Sequence, residues 1–302
     1  MAKKVDIVRK WEYNEKTDLI IGMKERRPAM SERKSLDTLC AALAYAMKVE
    51  APADAQAANP DLVAYIDGCF GDEGADRIFM YNPDAIGEWV YRKYPGLLKE
   101  VTALTELEVN FETVMPSVTP VCFGTMYTGA QPSVHGIRKY EKPVIRIDTL
   151  FDAMIRAGKK CVIVGDTDCS VSNIFLEREM DYFRFDSIAE INAKAVELIL
   201  EDKYDLVCIY NGNYDSVMHR YGPESIEALG ELRDNSYAFA TFCELIKNNW
   251  KDHNTLVGFA MDHGCHAIDG GCGSHGLDME EDLHIVHRYG AFVNKKECLE
   301  DG

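Results

Sequence analysis

The sequence lacks any run of 18 uncharged apolar residues, so nothing in it has the make-up of a membrane-spanning helix. It also lacks a Cys-x-x-Cys pair. Its ten cysteines are scattered, which argues against a thiolate cluster or a disulfide scaffold and for free thiols in a reducing compartment. Cys265 and Cys272 share a Gly-rich loop that could hold a soft metal, but two loop thiols without a ligand role is the plainer reading. No apolar stretch follows the charged opening MAKKVDIVRKWEYNEKTD, as a secretory leader requires, so a cytoplasmic protein is expected. Positive charge is scarce: 33 Lys+Arg stand against 50 Asp+Glu, a formal charge of −17. That excess opposes long nucleic acids and anionic membranes by general electrostatics, though not a small anion in a locally cationic pocket. There is no internal repeat and no low-complexity segment.

What the sequence does have is enough apolar material, 47% of 302 residues, to bury a large core. Residues 1–75 read as a small helical or irregular N-terminal segment, with an Ala- and Leu-rich helix at 35–49 and a loop at 51–60. From Arg77 the rhythm changes. Short Val- and Ile-rich runs alternate with helical patterns, the signature of an α/β protein with a parallel sheet and crossover helices. The runs are RIFMY (77–81), KCVIV (160–164), DLVCIY (205–210) and TLVGFA (255–260). Helices are expected at 149–157, closed by Gly158, and at 188–200 and 225–248. No boundary is visible after Arg77, so 76–302 reads as one domain, with 1–75 packed on it.

Ligands bind beyond the carboxyl ends of the strands in such a sheet. Three of the runs are followed closely by side chains that can bind metal. Asp84 comes just after RIFMY. Asp215 follows DLVCIY, with His219 four residues on, a spacing that puts both on one helix face. Asp262 and His263 follow TLVGFA, and His275 ends the Gly-rich stretch after them. Each signal alone also fits a surface pair. Together they deliver carboxylates and imidazoles to one edge, a donor set that suits Zn²⁺ or Mn²⁺ better than Mg²⁺. The loop from Ser117 to Ile137 is dense in hydroxyls. A hydroxyl at a helix N-terminus beside a divalent cation can act as a nucleophile, and Thr119, followed by Pro120, reads equally as a helix cap.

The string TPVCFGTMYTGAQPSVHGI, from Thr119 to Ile137, resembles the nucleophile segment of the type I phosphodiesterase/nucleotide pyrophosphatase branch of the alkaline phosphatase superfamily. In that branch a Thr is followed nine residues later by Thr-Gly, here Thr128-Gly129, and then by a His-Gly-Ile ending, here His135-Gly136-Ile137. DSVMHRYGP resembles the family's Asp-x-x-x-His-x-x-Gly-Pro motif, MDHG (261–264) its Asp-His-Gly motif, and Asp84 the Asp of its first strand. The resemblance spans roughly three quarters of the chain, and its motifs keep the family's order. It implies a three-layer αβα fold with a mainly parallel central sheet. It also implies two divalent ions, Zn²⁺ before Mn²⁺. Asp215, His219 and His275 would hold one, Asp84, Asp262 and His263 the other, with Thr119 Oγ between them. His275 stands closer to the Asp-His-Gly motif than is usual in this branch, and His266, His284 and His287 compete for its place.

The function so implied is a metal-dependent phosphoric ester hydrolase, of phosphodiesterase or nucleotide pyrophosphatase type, acting through a covalent phospho- or nucleotidyl-threonine. A phosphomonoesterase of the same superfamily and a catalytically silent metal- or phosphate-binding member are the alternatives. The expected partner is a small phosphorylated substrate, with no long nucleic acid and no membrane; an oligomer is left open. Pro120 has no N–H, so oxyanion donors are sought elsewhere, among Asn82, Asn211 and Asn213. Arg138 and Arg220 are the cations nearest in sequence that could balance a monoester's extra charge. The 96 residues from Thr119 to Asp215 leave no room for the cap domain of the mutase branches.

Overall fold

The computed structural model describes residues 32–294. Contacts divide the chain after Glu32, and the unit that begins at Arg33 is the subject below. Its frame is an eight-stranded sheet in the order β1-β3-β10-β7-β2-β6-β4-β5. The strands are β1 (Lys34–Ser35), β2 (Arg77–Pro83), β3 (Leu107–Glu112), β4 (Cys161–Asp166), β5 (Asp181–Phe185), β6 (Leu206–Asn211), β7 (Thr255–Ala260) and β10 (His284–Phe292). A separate hairpin pairs β8 (His266–Ile268) with β9 (Cys272–Ser274). Within the eight-stranded sheet only β10 runs against its neighbours, β3 and β7; the other pairs of that sheet are parallel. The α/β fold with a mainly parallel sheet is therefore the observed one.

The four apolar runs became β2, β4, β6 and β7, contiguous at the centre of the sheet. Side chains on both of their faces are buried, as an uninterrupted apolar strand requires. On one face Phe79 and Tyr81 of β2 meet Phe239 and Phe242 of the helix Ile226–Asn249 at ring separations of 5.6–6.2 Å. On the other, Tyr127 of the helix Thr119–Thr128 packs on Phe151 and Phe175 and donates to Asn82 Oδ1. This gives the three layers. Each fully buried ring contributes about 1.5–3 kcal/mol of hydrophobic stabilisation.

Residues 33–75 supply β1 and the helices Leu39–Ala46 and Pro60–Phe70. Their Leu43, Ile66 and Phe70 are buried in the same cluster as the strand residues. The segment also has Asn59 as its cap, accepting from Asp61 and Leu62 amides, with Pro60 in the first turn. Residues 1–31 of the expected N-terminal segment lie outside the described residues. Between Thr119 and Asp215 the chain builds β4, β5 and β6 of the one sheet, which accounts for the missing room for a cap. Four strands of the sheet escaped the sequence reading, β1, β3, β5 and β10, and so did the β8–β9 hairpin.

Candidate active site

β7, β2 and β6 lie side by side, and all three end at the same edge. Asp84 is the first residue past β2. Asp262 and His263 stand just past β7. Asp215 and His219 lie on the helix Asn213–Tyr221 that follows β6. His275 arrives from the β8–β9 hairpin, whose Gly273 carbonyl accepts from His219 Nδ1 at 3.0 Å. The helix Thr119–Thr128 starts at the same edge. Val118 is its cap, and Thr119 is its first residue rather than the cap itself. Gly129, in the left-handed region at φ +70°, stops it.

The seven predicted side chains come together. Ligand atoms of Asp84, Asp262 and His263 lie within 4.8 Å of one another, and so do those of Asp215, His219 and His275. The rings of His263 and His275 stack at 4.1 Å, which joins the two trios. Thr119 Oγ lies 3.3 Å from Asp84 Oδ2 and 3.3 Å from His263 Nε2, so its hydrogen has two acceptors in reach. The first trio is wholly buried, whereas His219 is 43% exposed, so the centre opens on the Asp215 side. Of the competing histidines, His266 bonds Asp282 through Nδ1 at 2.7 Å, His287 bonds the Met261 carbonyl, and His284 begins β10. Asp282 also accepts from the Leu277 amide at 2.9 Å, which ties down the loop carrying His275.

The donor set fits two divalent cations. Each imidazole turns Nδ1 to a carbonyl: His219 to Gly273, His275 to Ser117 and His263 to Gly264, at 2.9–3.1 Å. That fixes the Nε2 lone pair on the centre. Asp84 Oδ1, Asp215 Oδ1 and Asp262 Oδ2 are buried acceptors with no hydrogen-bond partner, and each lies 3.2–3.3 Å from a histidine Nε2. Lone pairs converging without donors need positive charge between them. Protons would relieve the same crowding. Burial pushes Asp84 up to about 7 and Asp262 well above the carboxylate range. It drives His263 down to about 3. Burial also pushes Asp215 up, but the two imidazoles set against it, His219 and His275, outweigh that and hold Asp215 below its usual range. The Asp215 carboxylate in turn holds His219 up to about 9.

The other candidates named from the sequence are engaged away from the centre. The amides of Asn82, Asn211 and Asn213 donate to Ala260 O, Tyr81 Oη and Glu231 Oε2, so none is aimed at the centre. In the first turn of the helix Thr119–Thr128, Val121 and Cys122 donate to Val118 O and Pro120 has no N–H. The Thr119 N–H is therefore the first-turn amide without an intrahelical acceptor. Arg138 donates to Ser133 O and the Arg220 guanidinium lies over Tyr221, both on the exposed surface. Cys272 donates to Arg220 O and Cys265 is buried beside Tyr214; all cysteines among the described residues are free thiols, and Cys298 lies outside them. The sequence reading missed Tyr210, whose hydroxyl donates to Asp84 Oδ2. It also missed Ala85, held at φ +62° so that its amide reaches Asp262 Oδ1 at 3.2 Å.

Residues 146–293 match the type I phosphodiesterase/nucleotide pyrophosphatase family. Over this stretch, just under half of the chain, the sequence is similar to that family. The matched segment contains the second trio, with Asp262 and His263 of the first; Asp84 and Thr119 precede it and join the centre through the fold. The resemblance drawn from the motifs, to the type I phosphodiesterase/nucleotide pyrophosphatase branch, is matched over this segment. No curated protein sequence matches the chain. Among solved structures, murine ectonucleotide pyrophosphatase/phosphodiesterase 5 is similar in fold, at TM-score 0.52 and 16% identity over 64% of this chain and 58% of that one. Phosphonoacetate hydrolase from Sinorhizobium meliloti 1021, solved with phosphonoacetate, aligns at TM-score 0.49 and 19% identity over 65% and 59%. The chain thus spans less than two thirds of either protein's length. No helix among the described residues is long and apolar enough to cross a membrane.

Proposed function

We infer that the protein is a metal-dependent phosphoric ester hydrolase that transfers a phosphoryl or nucleotidyl group to Thr119 and then to water. The observation that carries this is the seat of Thr119 Oγ, 3.3 Å from both Asp84 and His263, at the first turn of a buried helix whose positive end faces the centre. Asp84, Asp262 and His263 would hold one ion; Asp215, His219 and His275 would hold the other. Zn²⁺ leads Mn²⁺ because three imidazoles share the set with three carboxylates. Bound there, the two cations supply Lewis-acid charge that acidifies the nearby hydroxyl and neutralises phosphoryl oxygens. Thr119 Oγ forms the new P–O bond while the bond to the leaving oxygen breaks. Water later attacks phosphorus, the P–Oγ bond breaks, and the Thr119 hydroxyl is restored.

Diesters are the better fit. Three carboxylates against two divalent cations leave one net positive charge, which matches a phosphodiester monoanion and falls short of a monoester dianion. Arg138 and Arg220 are engaged elsewhere and do not make up the difference. The activity named in the matched family agrees with this preference.

The test is metal content per chain, followed by turnover of bis-p-nitrophenyl phosphate and p-nitrophenyl phosphate with and without chelator. Two ions and chelator-sensitive cleavage that favours the diester are expected. Metal-independent cleavage, or two ions with no turnover of either substrate, would contradict the reading.

A further inference from the structure

Asp84 uses its two oxygens differently. Oδ1 is the buried, partnerless atom that faces His263 Nε2 at 3.3 Å. Oδ2 accepts from two hydroxyls, Thr119 Oγ and Tyr210 Oη. Tyr210 is the penultimate residue of β6, paired in register with Asn82 of β2, so its ring reaches over to the residue that follows the neighbouring strand. The ring is buried and stands edge-on to Phe123 of the nucleophile helix, with centroids 5.8 Å apart. Space for the hydroxyl depends on Gly212. A Cβ at Gly212 would meet Tyr210 Oη at 2.9 Å and Cε1 at 3.2 Å, and no other atom is as near. Gly212 has φ −91°, which any residue adopts, so backbone freedom does not explain a glycine there. The close approach to Tyr210 does.

We propose that Tyr210 is a positioning residue that holds the Asp84 carboxylate, so that Oδ1 faces the cation position and Oδ2 faces Thr119, and that Gly212 is the residue that leaves its hydroxyl room. The proposal rests on the two-cation reading of the centre. A carboxylate with one oxygen committed to a hydroxyl presents the other as a single-point ligand. Freed of Tyr210, the group can rotate, offer both oxygens to the ion and release Thr119. The Thr119 hydroxyl then loses the acceptor that fixes its direction.

Two variants test this from opposite sides. Tyr210→Phe removes the hydroxyl and keeps the ring against Phe123. Gly212→Ala keeps the hydroxyl and displaces it. Each is titrated with Zn²⁺ against a competing chelator and assayed on bis-p-nitrophenyl phosphate at saturating metal. Expected for both is a loss of about 10–100-fold in kcat, in the affinity of one of the two ions, or in both, with KM within about twofold of the parent and thermal unfolding little changed. The double variant falls no further than the worse single one, because both act on one contact. Tyr210→Phe with parent kcat and two parent-like ions overturns the proposal. So does equal weakening of both ions together with a lowered unfolding temperature, the mark of a merely structural tyrosine. A parent-like Gly212→Ala removes the role of Gly212. A parent protein that takes up no Zn²⁺ overturns the two-cation reading and this proposal together, whereas a two-ion parent with an inert Tyr210→Phe overturns this proposal alone.

Discussion

At the scale of single residues, the centre is decided by where lone pairs point. Three imidazoles are anchored through Nδ1 to carbonyls of Gly273, Ser117 and Gly264, and three carboxylate oxygens are left without donors. The two trios should therefore fail separately. His275→Ala should lose one ion and keep the other, because Asp84, Asp262 and His263 form a complete set without it. Asp262→Ala should lose the other ion and turnover with it. Metal analysis of the two variants after dialysis checks this, and loss of both ions from His275→Ala would mean that the trios are not independent. The seven candidate residues that converge were legible because each sits in a short string beside a strand end or a helix start. Tyr210 was not. Its partner Asp84 is 126 residues away, and nothing in DLVCIY says that the last aromatic side chain turns towards the neighbouring strand. The three asparagines misled for the same reason, since their donors are consumed by Ala260, Tyr81 and Glu231, which are distant in sequence.

At the scale of elements, the site depends on close backbone approaches. A Cβ on Gly264, the residue after His263, would stand 2.0 Å from the Glu281 carbonyl oxygen and 2.9 Å from Gly87 Cα. Backbone on both sides leaves it no way to relax cheaply. Gly264→Ala should destabilise the fold by about 1–3 kcal/mol, seen as a drop of several degrees in unfolding temperature, and should weaken metal binding by moving His263. An unfolding temperature equal to the parent's would show that this contact is looser than the structure has it. Legibility at this scale followed burial. β2, β4, β6 and β7 are buried on both faces and read as uninterrupted apolar runs. β5 is an edge strand, and its DYFRF lies half-exposed, so its pattern is too mixed to stand out. β3 and β10 carry Glu108 and Arg288, which pair across the strands at 3.1 Å and interrupt both apolar patterns with charge.

At the scale of the whole molecule, two buried histidines outside the metal trios make the fold acid-sensitive. His287 lies between β3 and β7, donating to Met261 O and accepting from Tyr289 Oη, and burial pushes it down to about 4. His135 packs against Gly124 and bonds Thr125, and burial likewise pushes it down to about 4. A histidine with a depressed folded pKa binds fewer protons when folded than when unfolded. Its contribution to stability is therefore complete above pH 6.5 and is lost as the pH falls towards 4. Neither ring should titrate between pH 8 and 5 by NMR. The stability gap between the parent and His287→Gln should narrow from pH 7 to pH 4, and a gap constant with pH would contradict the assignment. The net charge of −17 takes on a sharper meaning at this scale. Three of the carboxylates behind it, Asp84, Asp215 and Asp262, face the one place where cations would reverse the sign; under the proposed function, a small phosphate ester would be admitted there where a long polyanion would be repelled.

The central claim is that Thr119 is the nucleophile of a two-cation centre. The measurement that tests it most directly is turnover of bis-p-nitrophenyl phosphate by Thr119→Ala, compared with the parent at equal bound metal per chain. The account predicts two retained ions and turnover reduced to background. Two retained ions with turnover at the parent rate would contradict it.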